Sequence, residues 1–145
     1  VRIKLNPIRE EVAGKRVMII DDSIVRGTTS GQIVKLLRDA GAIEVHMRIS
    51  APPFMNPCYY GTDIDSRENL IACHHSVDEI ADIIGADSLG FLPEEELRSL
   101  VGCDEYCHAC FSGEYPTAIP VSTQKDRFEA KLSDKDREPG TQDKK

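Results

Sequence analysis

Apolar residues along the chain fall into short runs separated by charged or glycine-bearing stretches, and their spacing predicts most of the elements. Val17-Met-Ile-Ile20, preceded by Lys15 and Arg16, is a branched apolar run of the kind that forms a strand buried on both faces of a parallel sheet, with Asp21 at its carboxyl end. From Thr29 to Ala40 the residues Ile33, Val34, Leu36, Leu37 and Ala40 recur at steps of three and four, which predicts an amphipathic helix, and Gly41 stands where a left-handed cap belongs. Residues Glu44 to Ser50 supply a second strand. Lys15 to Ser50 therefore predicts one β-loop-α-β unit with a right-handed crossover.

Beyond Ser50 the period is lost. Pro52, Pro53 and Pro57 lack the amide that a helix or ladder needs, so the stretch to Thr62 is expected to be an irregular loop. Ser76-Val-Asp-Glu79 has the form of a capping box, and Val77, Ile80, Ala81, Ile83 and Ile84 continue it as a helix that Gly85 ends. Ser88 to Leu92 is a strand candidate. Pro93 with Glu94, Glu95 and Glu96 opens a further helix, because proline tolerates the first turn and carboxylates complement its positive end; Gly102 closes it. Val1 to Leu5 alternates like a strand already under way and does not start with Met, so the chain reads as a piece cut from a longer protein. After Pro120 only Phe128 and Leu132 are large and apolar, too few to offset chain entropy, and a disordered tail over residues 121–145 is expected.

Composition narrows the function classes. The length of 145 residues suits one domain. No apolar run approaches the roughly 20 residues of a membrane helix, so no membrane role is expected. The net charge of -7 argues against a nucleic-acid partner, since polyphosphate binding depends on clustered Lys and Arg. A small anion would need a local device: backbone N–H groups, one or two basic side chains or a divalent cation. Five cysteines, an odd number without a secretion signal, favour metal binding or free thiols over a disulfide framework and suggest a cytoplasmic protein.

The chemistry concentrates where the first strand ends. Two carboxylates, Asp21 and Asp22, are followed by Ser23, Ile24, Val25, Arg26, Gly27, Thr28, Thr29 and Ser30, running straight into a helix. Open α/β sheets bind ligands at the carboxyl ends of their strands. Gly27 permits close backbone approach, the three hydroxyls add donors, and the helix start directs unsatisfied N–H groups at the loop, which together form a phosphate cradle. Asp21 and Asp22 would then accept hydrogen bonds from a nearby cis-diol or hold Mg²⁺ on it, a description that ribose 5-phosphate fits. An isolated Asp-Asp more often caps a turn, but the fourteen-residue string Val17 to Ser30 reverses that balance. Arg26, Arg2 and Lys4 are candidates for neutralising phosphate or for ordinary solvated surface.

Cys107-His-Ala-Cys110 is a pair spaced so that two thiolates can meet one metal; read alone it is equally a redox pair, a zinc half-site or two unrelated thiols. Cys58 lies in the proline-rich loop, and Cys73, in an apolar stretch, reads as a small core residue. His46, His74, His75 and His108 are given no role as acid, base or ligand. Two rival functions share parts of this pattern. A phosphoacceptor receiver domain also opens with a strand ending in an acidic pair, but it needs a third Asp on a buried strand, whereas Asp63 and Asp65 follow a Pro-Cys-Tyr-Tyr-Gly loop. A bare cysteine metal-binding module leaves the phosphate loop unexplained.

The string Val17 to Ser30, with Lys4-Leu-Asn6 and Ser50-Ala-Pro-Pro53, resembles the type I phosphoribosyltransferases, and within them the glutamine amidotransferase members. The resemblance covers residues 1 to 120. It implies an α/β fold of the type I phosphoribosyltransferase kind, a parallel sheet flanked by helices. Residues 1–50 would be part of the core with the binding loop, and residues 51–120 the cluster-ligand loop, helices and Cys-x-x-Cys segment of the same domain. The implied substrate is phosphoribosyl pyrophosphate, bound by Asp21 to Ser30 with Mg²⁺ on Asp21 and Asp22, and the implied nucleophile is ammonia released from glutamine. The products would be 5-phosphoribosylamine, pyrophosphate and glutamate, at the committing step of purine synthesis. No side chain of this chain need attack, and positioning would carry the rate. In the cluster-binding branch, Cys58, Cys107 and Cys110 would be three ligands of a [4Fe-4S] cluster, expected to be structural. The fourth ligand, the loops that close the site and the glutamine-hydrolysing domain would precede Val1, leaving this piece inactive alone. A homo-oligomer is the expected assembly.

Overall fold

The computed structural model describes residues 6–64, 66–102 and 106–119. The elements in chain order are α1 (Arg9–Val12), β1 (Arg16–Asp21), α2 (Thr28–Asp39), β2 (Glu44–Ile49), α3 (Val77–Ile84), β3 (Ser88–Phe91), α4 (Glu94–Val101) and α5 (Ala109–Ser112), with two short 3-10 turns at Arg67–Asn69 and Ile71–Cys73. The strands form one parallel sheet in the order β1-β2-β3. Asp21 pairs with Ile49 at the carboxyl ends of β1 and β2. The predicted β-loop-α-β unit is present, with both strands and the helix within one residue of their expected bounds.

One face of the sheet carries the main core. Val45, Met47 and Ile49 are buried there with Val34 of α2 and Ile80 and Ile84 of α3. Helix α3 begins as its sequence requires. The Ser76 side chain accepts from the Glu79 amide at 3.3 Å, the Glu79 carboxylate accepts from the Ser76 amide at 2.7 Å, and Gly85 ends the helix at φ 77°. Arg38, near the end of α2, reaches Asp87 and the Ile43 carbonyl, while the Asp87 carboxylate also accepts from the Val45 amide at 2.6 Å. One carboxylate thereby joins the end of α2 to the starts of β2 and β3.

The expectation that β1 is buried on both faces is not met among the described residues. Helices α2 and α3 cover the opposite face, and Met18 and Ile20 remain 60% and 76% exposed. Both lie on the uncovered face, in register with His46 and Arg48 of β2. The β2 and β3 part of that face is polar and internally paired. Glu44 accepts from Arg16 at 2.6 Å and pairs with His46 at 2.9 Å, and Ser88 meets both His46, at 2.9 Å, and Arg48, at 3.1 Å. Burying an isoleucine side chain is worth about 1.5–3 kcal/mol, so leaving Ile20 open is a measurable loss.

A second, smaller core forms outside the sheet. Cys58, Ile64 and Leu70 are buried there, and Val25, Phe54, Cys73 and Cys110 pack against them. Phe54 and Phe111 stack at 5.0 Å, and the Met55 and Asn56 amides donate to the Cys110 carbonyl at 2.9 and 3.0 Å. The loop predicted to be irregular is therefore fastened to the Cys107–Cys110 segment. The short elements α1 and α5 and the 3-10 turns had no periodic signal, because three or four residues cannot display one.

Candidate functional site

Parallel pairing delivers the acidic pair to the top of the sheet. The Asp21 carbonyl accepts from the Ser50 amide at 2.9 Å and the Ser50 hydroxyl at 3.2 Å, tying the end of β1 to the end of β2. Next to it, the Asp21 carboxylate accepts from the Asp22 amide at 3.0 Å, and the Asp22 carboxylate accepts from the Ser23 hydroxyl at 2.8 Å. These bonds leave each carboxylate with free lone pairs to accept from a hydroxyl or to meet a cation.

The loop after the pair is anchored in both cores. Ile24 is buried in the sheet core at 2% exposure, Val25 packs on the smaller core, and the Val25 carbonyl accepts from the Ile71 amide at 2.9 Å. Gly27 then turns the chain into α2 with φ of 76°, a left-handed value that a side chain resists. Space is tight as well: a Cβ on Gly27 would lie 2.9 Å from Ile71 Cδ1, which would have to shift, and 3.4 Å from Ile84 Cγ2. Helix α2 has no side-chain cap at its start. Its first amides therefore face the loop, together with the positive end of the helix dipole, the arrangement that binds phosphate.

All ten predicted binding residues, Asp21 through Ser30, line a single cavity of about 400 Å³. One further residue lines it, Asp63. Sequence reasoning missed Asp63 as part of this site. It lies in an aperiodic loop 33 residues beyond Ser30, and only the tertiary fold brings it there. Arg2 and Lys4 lie outside the described residues, as do Cys103, Asp65 and the tail.

The thiols sort into a pair and two neighbours. Burial pushes the Cys58 thiol up, but the Tyr60 and Thr62 amides, the Thr62 hydroxyl and the Cys110 thiol donate to its sulfur and bring it down to about 7. The Tyr60 amide lies 3.4 Å from that sulfur. Cys110 moves the other way, up to about 11, through burial and then through the adjacent negative charge of Cys58, with Cys107 adding to it. Cys58 and Cys110 thus meet, and Cys107 is close enough to be felt while remaining exposed. Among the described residues, no three His, Cys, Asp or Glu side chains are grouped as a metal site would group them. Cys73 turns its thiol to the Met55 carbonyl at 3.2 Å, in keeping with a core role. Three tyrosines cluster nearby: Tyr59 and Tyr60 approach Tyr115 at 5.1 and 6.5 Å, and the Tyr115 hydroxyl donates to the Pro57 carbonyl at 2.7 Å. Of the histidines, His46 sits in the polar ladder of the open face and His108 beside Glu94 at 3.2 Å, both away from the cavity.

Comparison with known proteins places this arrangement. No family model matches the chain. The chain is 54% identical over 132 residues to the amidophosphoribosyltransferase of Synechococcus elongatus, covering 88% of this chain and 26% of that protein. Against the Archaeoglobus fulgidus amidophosphoribosyltransferase it is 53% identical over 124 residues, covering 83% of this chain and 27% of the relative. The chloroplastic enzyme of Glycine max is 57% identical over 118 residues, 80% of this chain and 21% of its own length. Among solved structures, the glutamine phosphoribosylpyrophosphate amidotransferase from B. subtilis, complexed with ADP and GMP, superposes with a TM-score of 0.76 at 53% identity, over 85% of this chain and 28% of that one. A structure described as the allosteric regulatory enzyme of purine biosynthesis superposes equally well, at 54% identity. The chain thus spans about a quarter of the length of the curated relatives it matches. Over the segment it spans, the chain belongs to the amidophosphoribosyltransferase family and has the α/β fold of its phosphoribosyltransferase part.

Proposed function

We propose that this chain is the phosphoribosyl-pyrophosphate-binding part of an amidophosphoribosyltransferase, acting at the first step of purine synthesis. The whole reaction takes phosphoribosyl pyrophosphate, glutamine and water to 5-phosphoribosylamine, pyrophosphate and glutamate. The observation that carries this reading is the single cavity lined by every residue from Asp21 to Ser30. In it, the 5-phosphate rests on the amides and hydroxyls of Gly27 to Ser30, and Arg26 supplies positive charge. Asp21 and Asp22 accept the ribose hydroxyls. As the bond to pyrophosphate lengthens, positive charge grows on the ribose ring, and carboxylates fixed beside it stabilise that charge. Mg²⁺, when bound at Asp21 and Asp22, would neutralise the pyrophosphate and assist its departure.

Cys58, Cys107 and Cys110 are assigned to a [4Fe-4S] cluster. The donor chemistry suits it: two sulfurs in contact, amides donating to one of them, and an apolar surround. Cys107 would have to turn inward to join them, since it is exposed. Such a centre would supply structural cross-linking between the 51–66 loop and the Cys107–Cys110 segment. The assembly is assigned as a cytoplasmic homo-oligomer that receives ammonia from a glutamine-hydrolysing part. The test is an activity measurement on the full-length protein with ammonium chloride and phosphoribosyl pyrophosphate. Mg²⁺-dependent release of pyrophosphate is expected, reduced at least a hundredfold by Asp21→Asn together with Asp22→Asn, on the order of the loss seen when a charge-stabilising group is removed. Full activity in that double variant would refute the assignment.

A further inference from the structure

Ten of the eleven residues lining the cavity come from one continuous stretch; the eleventh, Asp63, comes from a separate loop. Its position is set from both sides. Ile64, the next residue, is 1% exposed in the smaller core, its carbonyl accepts from the Cys58 amide at 3.0 Å, and its amide donates to the Thr62 carbonyl at 2.8 Å. The Asp63 side chain itself is exposed to the cavity and to water.

A carboxylate on the wall of an anion-binding pocket repels its ligand unless it faces a hydrogen-bond donor or a growing positive charge. With the phosphate on the start of α2 and the ribose hydroxyls on Asp21 and Asp22, the nucleophile is the reactant that both donates hydrogen bonds and gains positive charge. Ammonia carries N–H donors and no negative charge, and its nitrogen becomes cationic as it bonds to carbon.

We infer that Asp63 is the carboxylate that receives the nitrogen nucleophile, accepting a hydrogen bond from ammonia and taking its proton once the carbon–nitrogen bond has formed. This rests on the phosphoribosyltransferase reading given above. The nitrogen lone pair makes the new bond to the anomeric carbon, the carbon–oxygen pair leaves with pyrophosphate, and one proton passes from nitrogen to Asp63 and on to solvent. The same charge disfavours anionic acceptors at that wall.

The experiment uses the full-length protein with phosphoribosyl pyrophosphate, Mg²⁺ and ammonium chloride, and reads pyrophosphate release against the concentration of each substrate. Asp63→Asn is expected to lower kcat/KM for ammonia by about a hundredfold, the usual scale of a positioned proton acceptor, while KM for phosphoribosyl pyrophosphate stays within about twofold. Asp63→Glu is expected to recover part of the loss. Ribose 5-phosphate binding, measured by calorimetry, is expected to persist in both variants, which marks them as folded. An Asp63→Asn protein as active toward ammonia as the wild type overturns the assignment. Equal losses for ammonia and phosphoribosyl pyrophosphate also overturn it, because they mark a structural role. A wild-type protein that releases no pyrophosphate overturns both this assignment and the reading beneath it.

Discussion

At the scale of single residues, the binding loop depends most on Gly27. Its left-handed backbone resists a side chain, and a Cβ there would also require the Ile71 side chain to move. Gly27→Ala would add about 1–2 kcal/mol of backbone strain and set its Cβ 2.9 Å from the end of the Ile71 side chain, which would have to shift. The expected outcome is at least a tenfold weaker affinity for phosphoribosyl pyrophosphate by calorimetry, with the melting temperature lowered; unchanged affinity would show that the loop tolerates the shift. Gly27 was legible in the sequence because a glycine between two carboxylates and a helix has few other uses. Asp63 was not. An exposed aspartate in a proline-rich loop carries no period and no neighbour in sequence that ties it to the phosphate loop, and its place at the cavity is a product of packing alone.

At the scale of elements, Asp87 is the junction of α2, β2 and β3. The Val45 amide holds its carboxyl below the ordinary aspartate value, burial opposes this, and Arg38 adds to the lowering. A depressed folded value means that the contribution is present above the unfolded value and is lost as pH falls through the folded one. Replacing Asp87 by Asn should therefore lower stability at neutral pH, and the gap from wild type should close as the pH drops below 3.8, the ordinary value. Thermal unfolding of both proteins across that range checks it, and a gap that stays constant with pH would contradict the assignment. The elements themselves were mostly readable, since α2 and α3 present apolar residues at helical spacing and α3 carries its own start and stop signals. What failed was the environment of β1. A branched apolar run says that a strand seeks burial on both faces, but it cannot say what covers each face, and among the described residues one side of Met18 and Ile20 is open.

At the scale of the whole molecule, the two cores meet at the loop between β1 and α2. Ile24 belongs to the sheet core and Val25 packs on the core that holds Cys58, so the loop after Asp22 links the cysteine pair to the sheet core. The sequence does not reveal this link, because Cys58 lies 33 residues beyond Val25 and the intervening helix, strand and prolines give no sign of where the chain returns. That return brings Ile64, Leu70 and the Cys110 segment against Val25, and it also brings Asp63 to the cavity. The fold class, the crossover unit and the continuous stretch that lines the cavity were thus available from local pattern, while the place of Asp63 at that cavity depended on contacts between segments distant in sequence. In the proposed function, Asp21 and Asp22 hold a Mg²⁺-bound sugar pyrophosphate above the start of α2. Calorimetric titration of the full-length protein with phosphoribosyl pyrophosphate, with and without Mg²⁺, tests it most directly. The account predicts saturable, Mg²⁺-dependent binding that is lost when both residues are changed to Asn in a protein that still melts cooperatively; binding of equal strength in the double variant would contradict it.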